Sequence, residues 1–120
     1  MVSIVEFTVD GRPVPCPRPR VTRNGGHTYN PPNYEAWRIK CGYIASAAMI
    51  GEPVTRDVSL TIRVRVPDRR HGDLDNYIKA VNDSIEGIVF ENDKQIRRID
   101  AEMVIDKDRP GVDVVVHTYG

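Results

Sequence analysis

Charged side chains recur at one-turn spacing in the middle of the chain. Asp75, Lys79 and Asp83 are four residues apart, and Asp73 lies two residues before Asp75. On a helix, this spacing places Asp75, Lys79 and Asp83 on one face. Clustered carboxylates repel, by roughly 4 kcal/mol for two unit charges 4 Å apart at an effective dielectric constant of 20. A bound cation offsets that repulsion, and oxygen ligands without a nearby cysteine suit Mg²⁺ or Mn²⁺ rather than zinc.

The same residues also have a purely structural interpretation. Asp is a favourable N-cap, and a negative side chain at a helix N-terminus stabilises by about 0.3–1 kcal/mol. Lys79 can pair with the aspartates one turn away, which is worth a few tenths of a kcal/mol. The EF-hand pattern fails after Asp73, and the chain has no P-loop, GxGxxG, H-E-x-x-H or G-x-S-x-G motif. The pattern alone therefore leaves metal binding and helix capping both open.

Strands are predicted where apolar residues alternate with polar ones. The strongest alternation runs over residues 58–66, and Pro67 ends it. Further strands are predicted over 3–10, 96–105 and 112–117, with the last two forming a hairpin around Pro110-Gly111.

Two helices are predicted from apolar residues at helical spacing. The first starts at an Asn33 N-cap, stops at Gly51 and turns Trp37 towards the core. The second runs from Asp73 to near Gly87. The resulting β-α-β-α-β-β order predicts a small single-domain α/β (α+β) fold over residues 1–120, with a mixed sheet packed by helices.

A long arm is predicted between the first strand and the first helix, over residues 13–32. Prolines at every second position fix the backbone as extended and remove amide donors, so this stretch is expected to lack ladder pairing. Residues 24–26, Asn-Gly-Gly, favour a tight turn. A loop of this length inside a compact domain is usually functional or disordered.

Composition excludes several classes of protein. The 120 residues fit one domain, and 17 basic residues balance 17 acidic ones. That balance is uneven: residues 1–72 carry 11 basic and 6 acidic side chains, and residues 73–120 carry 6 and 11. No apolar run is long enough for a membrane helix, and we expect no signal peptide. Cys16 and Cys41 have neither disulfide-framework nor zinc-site spacing, which favours a cytoplasmic protein.

The chain resembles RusA-type Holliday junction resolvases over residues 72–96, GDLDNYIKAVNDSIEGIVFENDKQI. The Pro/Arg-rich N-terminal segment of that family resembles residues 17–37, PRPRVTRNGGHTYNPPNYEAW. The resemblance implies a homodimeric, Mg²⁺-dependent endodeoxyribonuclease of bacteria or prophages, with Mn²⁺ as a second usable metal. Its substrate would be four-way junction DNA, resolved by paired nicks in opposed strands during DNA recombination and repair. It implies no nucleotide cofactor and no membrane partner.

The resemblance also implies catalytic residues. Asp73, Asp75 and Asp93 match the three metal-binding aspartates of the family, and Lys79 matches its catalytic-region lysine. Asp93 follows the far end of the second helix, so it reaches the other two only if the loop over residues 87–95 folds back.

Four neighbouring positions complete the comparison with the family. Asn76 and Asp83 match further family residues. Asn92 stands where many relatives carry a second acid, so its carbonyl oxygen or the carboxylate of Glu91 is the alternative ligand.

Contacts with DNA phosphates are expected from cations beside the acidic cluster and on the arm, which are Arg69, Arg70, Lys94, Arg18, Arg20 and Arg23. Other arginines fit ordinary solvent-exposed positions, namely Arg63, Arg65, Arg97 and Arg98.

Two other functions stay open from the residues alone. One is a DNA-binding protein without enzymatic activity, in which the aspartates only cap a helix. The other is a metal-dependent nuclease for other branched or flapped DNA.

Overall fold

The protein is described by a computed structural model over residues 2–17, 20–21, 28–29 and 31–120. In chain order the elements are β1 (Ser3–Asp10), β2 (Arg20–Val21), β3 (Thr28–Tyr29), α1 (Pro32–Ala48), β4 (Val58–Val66), α2 (Leu74–Ile85), a 3₁₀ turn (Asp93–Gln95), β5 (Ile96–Ile105) and β6 (Gly111–Thr118).

Four long strands form one mixed sheet in the order β1-β6-β4-β5. β6 pairs antiparallel with both β1 and β4, whereas β4 and β5 are parallel. A parallel pair needs a crossover connection, which α2 supplies. The two helices pack against each other and cover one face of the sheet. These elements confirm a small single-domain α+β fold and, apart from the two short strands of the arm, the predicted β-α-β-α-β-β order.

The predicted hairpin of the last two strands is wrong. β5 and β6 flank β4 on opposite sides, so the connection over residues 106–110 crosses the end of β4. The side chain of Arg65, near the end of β4, donates to Arg109 O at 2.6 Å and to Asp113 Oδ1 at 3.0 Å. These two hydrogen bonds hold the connection against the end of β4. Burial explains the order, because β6 has three fully buried valines and belongs in the centre, while β5 has no fully buried residue and lies at the edge.

The core lies between the covered face of the sheet and the two helices. β4 contributes every second side chain to it, and α1 contributes Trp37 and Cys41. The predicted core role of the first helix is therefore confirmed. Both cysteines are free, and burial raises the pKa of the Cys41 thiol to about 11, so this thiol stays protonated near neutrality.

The predicted limits of α1 shift at both ends. The helix starts at Pro32, with Pro31 rather than Asn33 at the N-cap position, because a proline in the first turn lacks only an amide that has no helical partner. The Asn33 side chain still accepts the Tyr34 amide at 2.9 Å. At the other end the helix stops at Ala48, three residues before the expected stop at Gly51.

Within the arm, Arg20–Val21 pairs antiparallel with Thr28–Tyr29. The expected unpaired stretch therefore ends at Arg20, where a two-residue ladder starts. The predicted turn over residues 24–26 lies outside the described residues. None of the described helices combines the length and the apolar character required to cross a bilayer.

We expect Phe90→Ala to reduce the free energy of unfolding by about 3–5 kcal/mol, because Phe90 is fully buried and its removal leaves a cavity. Urea unfolding followed by the fluorescence of the single tryptophan, Trp37, measures the change. Ile50→Ala is the matched control, since Ile50 is 93% exposed and its loss should change stability by less than about 0.5 kcal/mol. Equal losses in both variants would contradict this placement of the core.

Candidate active site

The orientation of α2 is set by its buried stripe. Five side chains of this helix are buried against the sheet and α1, namely Tyr77, Ala80, Val81, Ser84 and Ile85. The opposite face presents Asp75, Lys79 and Asp83 to solvent, as their spacing predicts. Apolar packing thus fixes the direction in which the charged residues point.

Two of the predicted metal ligands lie at the start of α2. Asp73 occupies the N-cap position with an extended backbone, but its side chain makes no cap hydrogen bond. Asp75 follows in the first turn, and both side chains are exposed. Their oxygens are therefore available to a cation or a hydrogen-bond donor. If Asp73 acted only as a cap, its side chain would instead accept a backbone amide of α2.

Lys79 lies one turn further along the same face. Its ammonium is 3.4 Å from Asp83 Oδ2, and its side chain is 60% exposed. Exposed pairs of this kind typically contribute less than about 1 kcal/mol. The lysine is therefore held by a weak contact and remains accessible from solvent.

A short basic loop over residues 67–72 leads from β4 into α2. Asp68 Oδ1 accepts the Arg70 amide at 2.8 Å, and the Arg12 side chain donates to Arg70 O at 2.8 Å. The side chains of Arg69 and Arg70 are exposed. The fold thus brings two cationic side chains to the end of α2 that carries Asp73.

The third predicted ligand lies elsewhere. The amide of Asp93 donates to Glu86 Oε2 at 2.8 Å, and Glu86 is the C-cap of α2. The 12 residues of α2 span about 18 Å. The structure therefore brings together Asp73, Asp75 and Lys79, and places Asp93 at the far end of the helix.

Packing of the loop after α2 prevents Asp93 from folding back. Val89 and Phe90 are fully buried, and the Val54 amide donates to Val89 O at 2.9 Å. Gln95 then bonds to the Val54 and Arg56 carbonyls at 2.9 and 2.8 Å, which fixes the turn beside the start of β4. Within the described ranges, no three His, Cys, Asp or Glu side chains are close enough together to hold a metal ion.

The other cationic residues considered in the sequence differ in whether they form ion pairs with acidic side chains. On the open face of the sheet or near its edge, four arginines form ion pairs at 3.0–3.4 Å: Arg63 with Glu102, Arg65 with Asp113, Arg97 with Asp57 and Arg98 with Asp100. Lys94 is exposed beside Asp93. Arg18 and Arg23 lie outside the described residues, and Arg20 is described only by its backbone.

Several site contacts have no signal in the sequence. The hydroxyl of Tyr77 accepts the Gly72 amide at 3.0 Å and so shapes the entry to α2. The Asn76 carbonyl accepts the Cys16 amide at 2.9 Å, which ties the arm to the first turn of the helix. The contact between Cys16 and Asn76 joins segments roughly 60 residues apart, and local periodicity carries no information about it.

Comparison with known proteins identifies the family of the chain. The family model described as Endodeoxyribonuclease RusA matches residues 10–117. A crossover junction endodeoxyribonuclease RusA from Aquifex aeolicus (strain VF5) is 25% identical over 116 residues, which cover 96% of this chain and 92% of that protein. The α+β domain with its acidic helix is thus an endodeoxyribonuclease. The chain belongs to the RusA family of Holliday junction-resolving nucleases.

We expect Asp73→Asn and Asp75→Asn each to change the free energy of unfolding by no more than about 1 kcal/mol without metal, because each removes only a dipole interaction. Chemical denaturation in EDTA measures it. A loss above about 2 kcal/mol in either variant would show that the carboxylate is structural.

Proposed function

We propose that the chain is a Mg²⁺-dependent, structure-selective endonuclease that resolves four-way DNA junctions by nicking two opposed strands, in DNA recombination and repair. One observation carries the proposal. Asp73 and Asp75 are exposed at the start of α2, where the Asp73 side chain makes no cap hydrogen bond, and Lys79 lies one turn away with a basic loop alongside. The two free cysteines and a DNA substrate favour action in the cytoplasm.

The chemistry of the donors fits the proposed metal. Mg²⁺ typically takes one or two protein carboxylates and fills its remaining positions with water and substrate phosphate oxygens. Asp73 and Asp75 supply two such carboxylates from a single chain. When bound there, Mg²⁺ (or Mn²⁺) supplies Lewis-acid chemistry that polarises a phosphoryl oxygen and lowers the pKa of a water molecule.

The remaining side chains would act on the DNA itself. Lys79 carries a positive charge to the scissile phosphate and stabilises the extra negative charge of the transition state. Arg69 and Arg70 contact neighbouring phosphates, and the arm arginines and Lys94 extend the cationic surface towards the duplex arms. Since the sheet arginines are already paired with acids, the loop arginines supply more of the attraction for DNA.

A homodimer explains why Asp93 lies so far from Asp73. A four-way junction and a homodimer can share a two-fold axis, and two active sites related by that axis suit two opposed strands. Asp93 lies just before β5 in the chain. If the β5 strands of two copies run antiparallel to each other, Asp93 of one copy approaches the carboxyl end of β5 in the other copy. We propose that Asp93 completes the site of the partner subunit, together with Asp73 and Asp75.

The exposed apolar side chains of β5 support this dimer. Ile99 and Ile105 are 37% and 51% exposed on the face that the helices cover elsewhere, and β5 is an edge strand. Exposed apolar edge strands are usually covered or paired. A second copy packed along β5 would cover these side chains.

Cleavage of a labelled four-way junction tests the activity. We expect paired nicks in Mg²⁺, none in EDTA and none on linear duplex. Asp75→Asn should bind the junction but cleave it roughly a hundredfold more slowly or worse, because a carboxylate ligand is lost. Binding without cleavage in either metal would contradict the enzyme activity. Preferential cleavage of flaps or forks would replace the junction as the substrate.

Mixing inactive variants tests the shared site. A dimer of Asp75→Asn with Asp93→Asn has one site with both substitutions and one intact site, if Asp93 acts on the partner subunit. We expect nicking of single strands to return at about a quarter of all sites after subunit exchange. A mixture of Asp73→Asn with Asp75→Asn is the control, since it restores no site. If the first mixture is as inactive as the control, Asp93 does not act across the dimer.

A further inference from the structure

Both ends of the arm meet the same carboxylate. Near its start, Cys16 Sγ lies 4.0 Å from Asp83 Oδ2, and after its end the Tyr34 hydroxyl donates to the same oxygen at 3.4 Å. Tyr34 is 2% exposed and Cys16 is 8% exposed. Residues near the start of the arm and just after its end therefore contact one residue of α2.

The phenol of Tyr34 is suited to this role. Burial raises its pKa first of all, and the hydrogen bond and charge of Cys16 and of Asp83 raise it further. The hydroxyl consequently keeps its proton and remains a donor throughout the neutral range.

The start of the arm is also tied to the site above Asp83. The Cys16 amide donates to Asn76 O at 2.9 Å, in the first turn of α2. Pro15 packs on Gly72, where an added Cβ would lie 3.0 Å from Pro15 Cγ. Arg12 holds the Arg70 carbonyl, as described above. Residues 12–17 thus run along the basic loop and the helix that carries the aspartates.

Asp83 also faces the catalytic region. The same Oδ2 that meets Tyr34 lies 3.4 Å from Lys79 Nζ. One carboxylate oxygen therefore contacts groups from both ends of the arm and the lysine. Substitution of Asp83 releases all of these contacts, whereas substitution of Tyr34 releases one end of the arm only.

We infer that Asp83 is a positioning residue that holds Cys16, near the start of the arm, and Tyr34, just after the arm, on α2, so that these anchor points and Lys79 keep a fixed spatial relation. This inference rests on the proposed function for its effect on DNA, but the contact itself exists in the free protein. An ion pair between Lys79 and Asp83 without any role for the arm is the competing explanation.

Three variants separate the two explanations: Tyr34→Phe, Asp83→Asn and the double variant. Tyr43→Phe is the matched control, because Tyr43 lies on the same helix and is 77% exposed. Junction binding is measured in EDTA over a range of salt concentrations. Single-turnover cleavage is measured at saturating protein in Mg²⁺.

Tyr34→Phe should weaken junction binding about three- to tenfold and flatten its salt dependence, while cleavage of bound junction stays within about twofold. Asp83→Asn should weaken binding at least as much and also slow cleavage, since Lys79 loses its partner. The double variant should bind like Asp83→Asn alone, because the contact that Tyr34→Phe removes is among those that Asp83→Asn has already released. Tyr43→Phe should behave as the wild type.

Hydrogen exchange in the free protein gives a readout that does not depend on DNA. We expect the Cys16 amide to exchange faster in Tyr34→Phe and Asp83→Asn than in the wild type. Unchanged exchange and unchanged binding in Tyr34→Phe, or additive losses in the double variant, would overturn the inference. Failure of the wild type to bind junctions would instead overturn the proposed function, and the exchange rates would still decide whether Asp83 anchors the arm.

Discussion

Burial of one stripe of α2 governs the position of almost every charged group in the site. Once Val81 and Ile85 are packed against the sheet, helical geometry leaves Asp75, Lys79 and Asp83 no other direction than outward. The position of Asp73 is then set by the point at which the chain, after leaving β4, enters the helix. The acidic cluster therefore depends on apolar packing, and its charges contribute little to holding the fold together.

Elements with a strong local sequence pattern lie where the sequence predicted them. β4 and β5 have the predicted limits, and α2 has nearly the predicted ones, because alternation and helical periodicity are local properties. Strand pairing is not local. Whether β6 pairs with β5 or with β4 depends on which strands have fully buried side chains, and this comparison involves the whole sheet. The start of α1 was also not fixed by local pattern, because Pro31 and Asn33 are both possible N-cap positions and the structure has Pro31 there.

The site could be predicted in part for the same reason. The spacing along one helix brings Asp73, Asp75 and Lys79 together, so sequence reasoning could find them. The position of Asp93 depends on how Phe90 packs, and the contacts of Tyr34 depend on the path of the arm. Neither has a periodic signature. The ion pairs of the sheet arginines also depend on register, which decides that Arg63 meets Glu102.

The place of β6 in the sheet has a consequence for biosynthesis. β6 follows the other three strands of the sheet in the chain yet lies between β1 and β4, so the sheet has no centre until about residue 118 is available. Until then β1 and β4 expose unpaired edges, and the contact that joins β1 to β6 spans more than 100 residues. Folding rates fall as such long-range contacts increase, and open edges promote aggregation. The nascent chain therefore stays vulnerable until β6 inserts, and loss of that strand would remove the middle of the sheet.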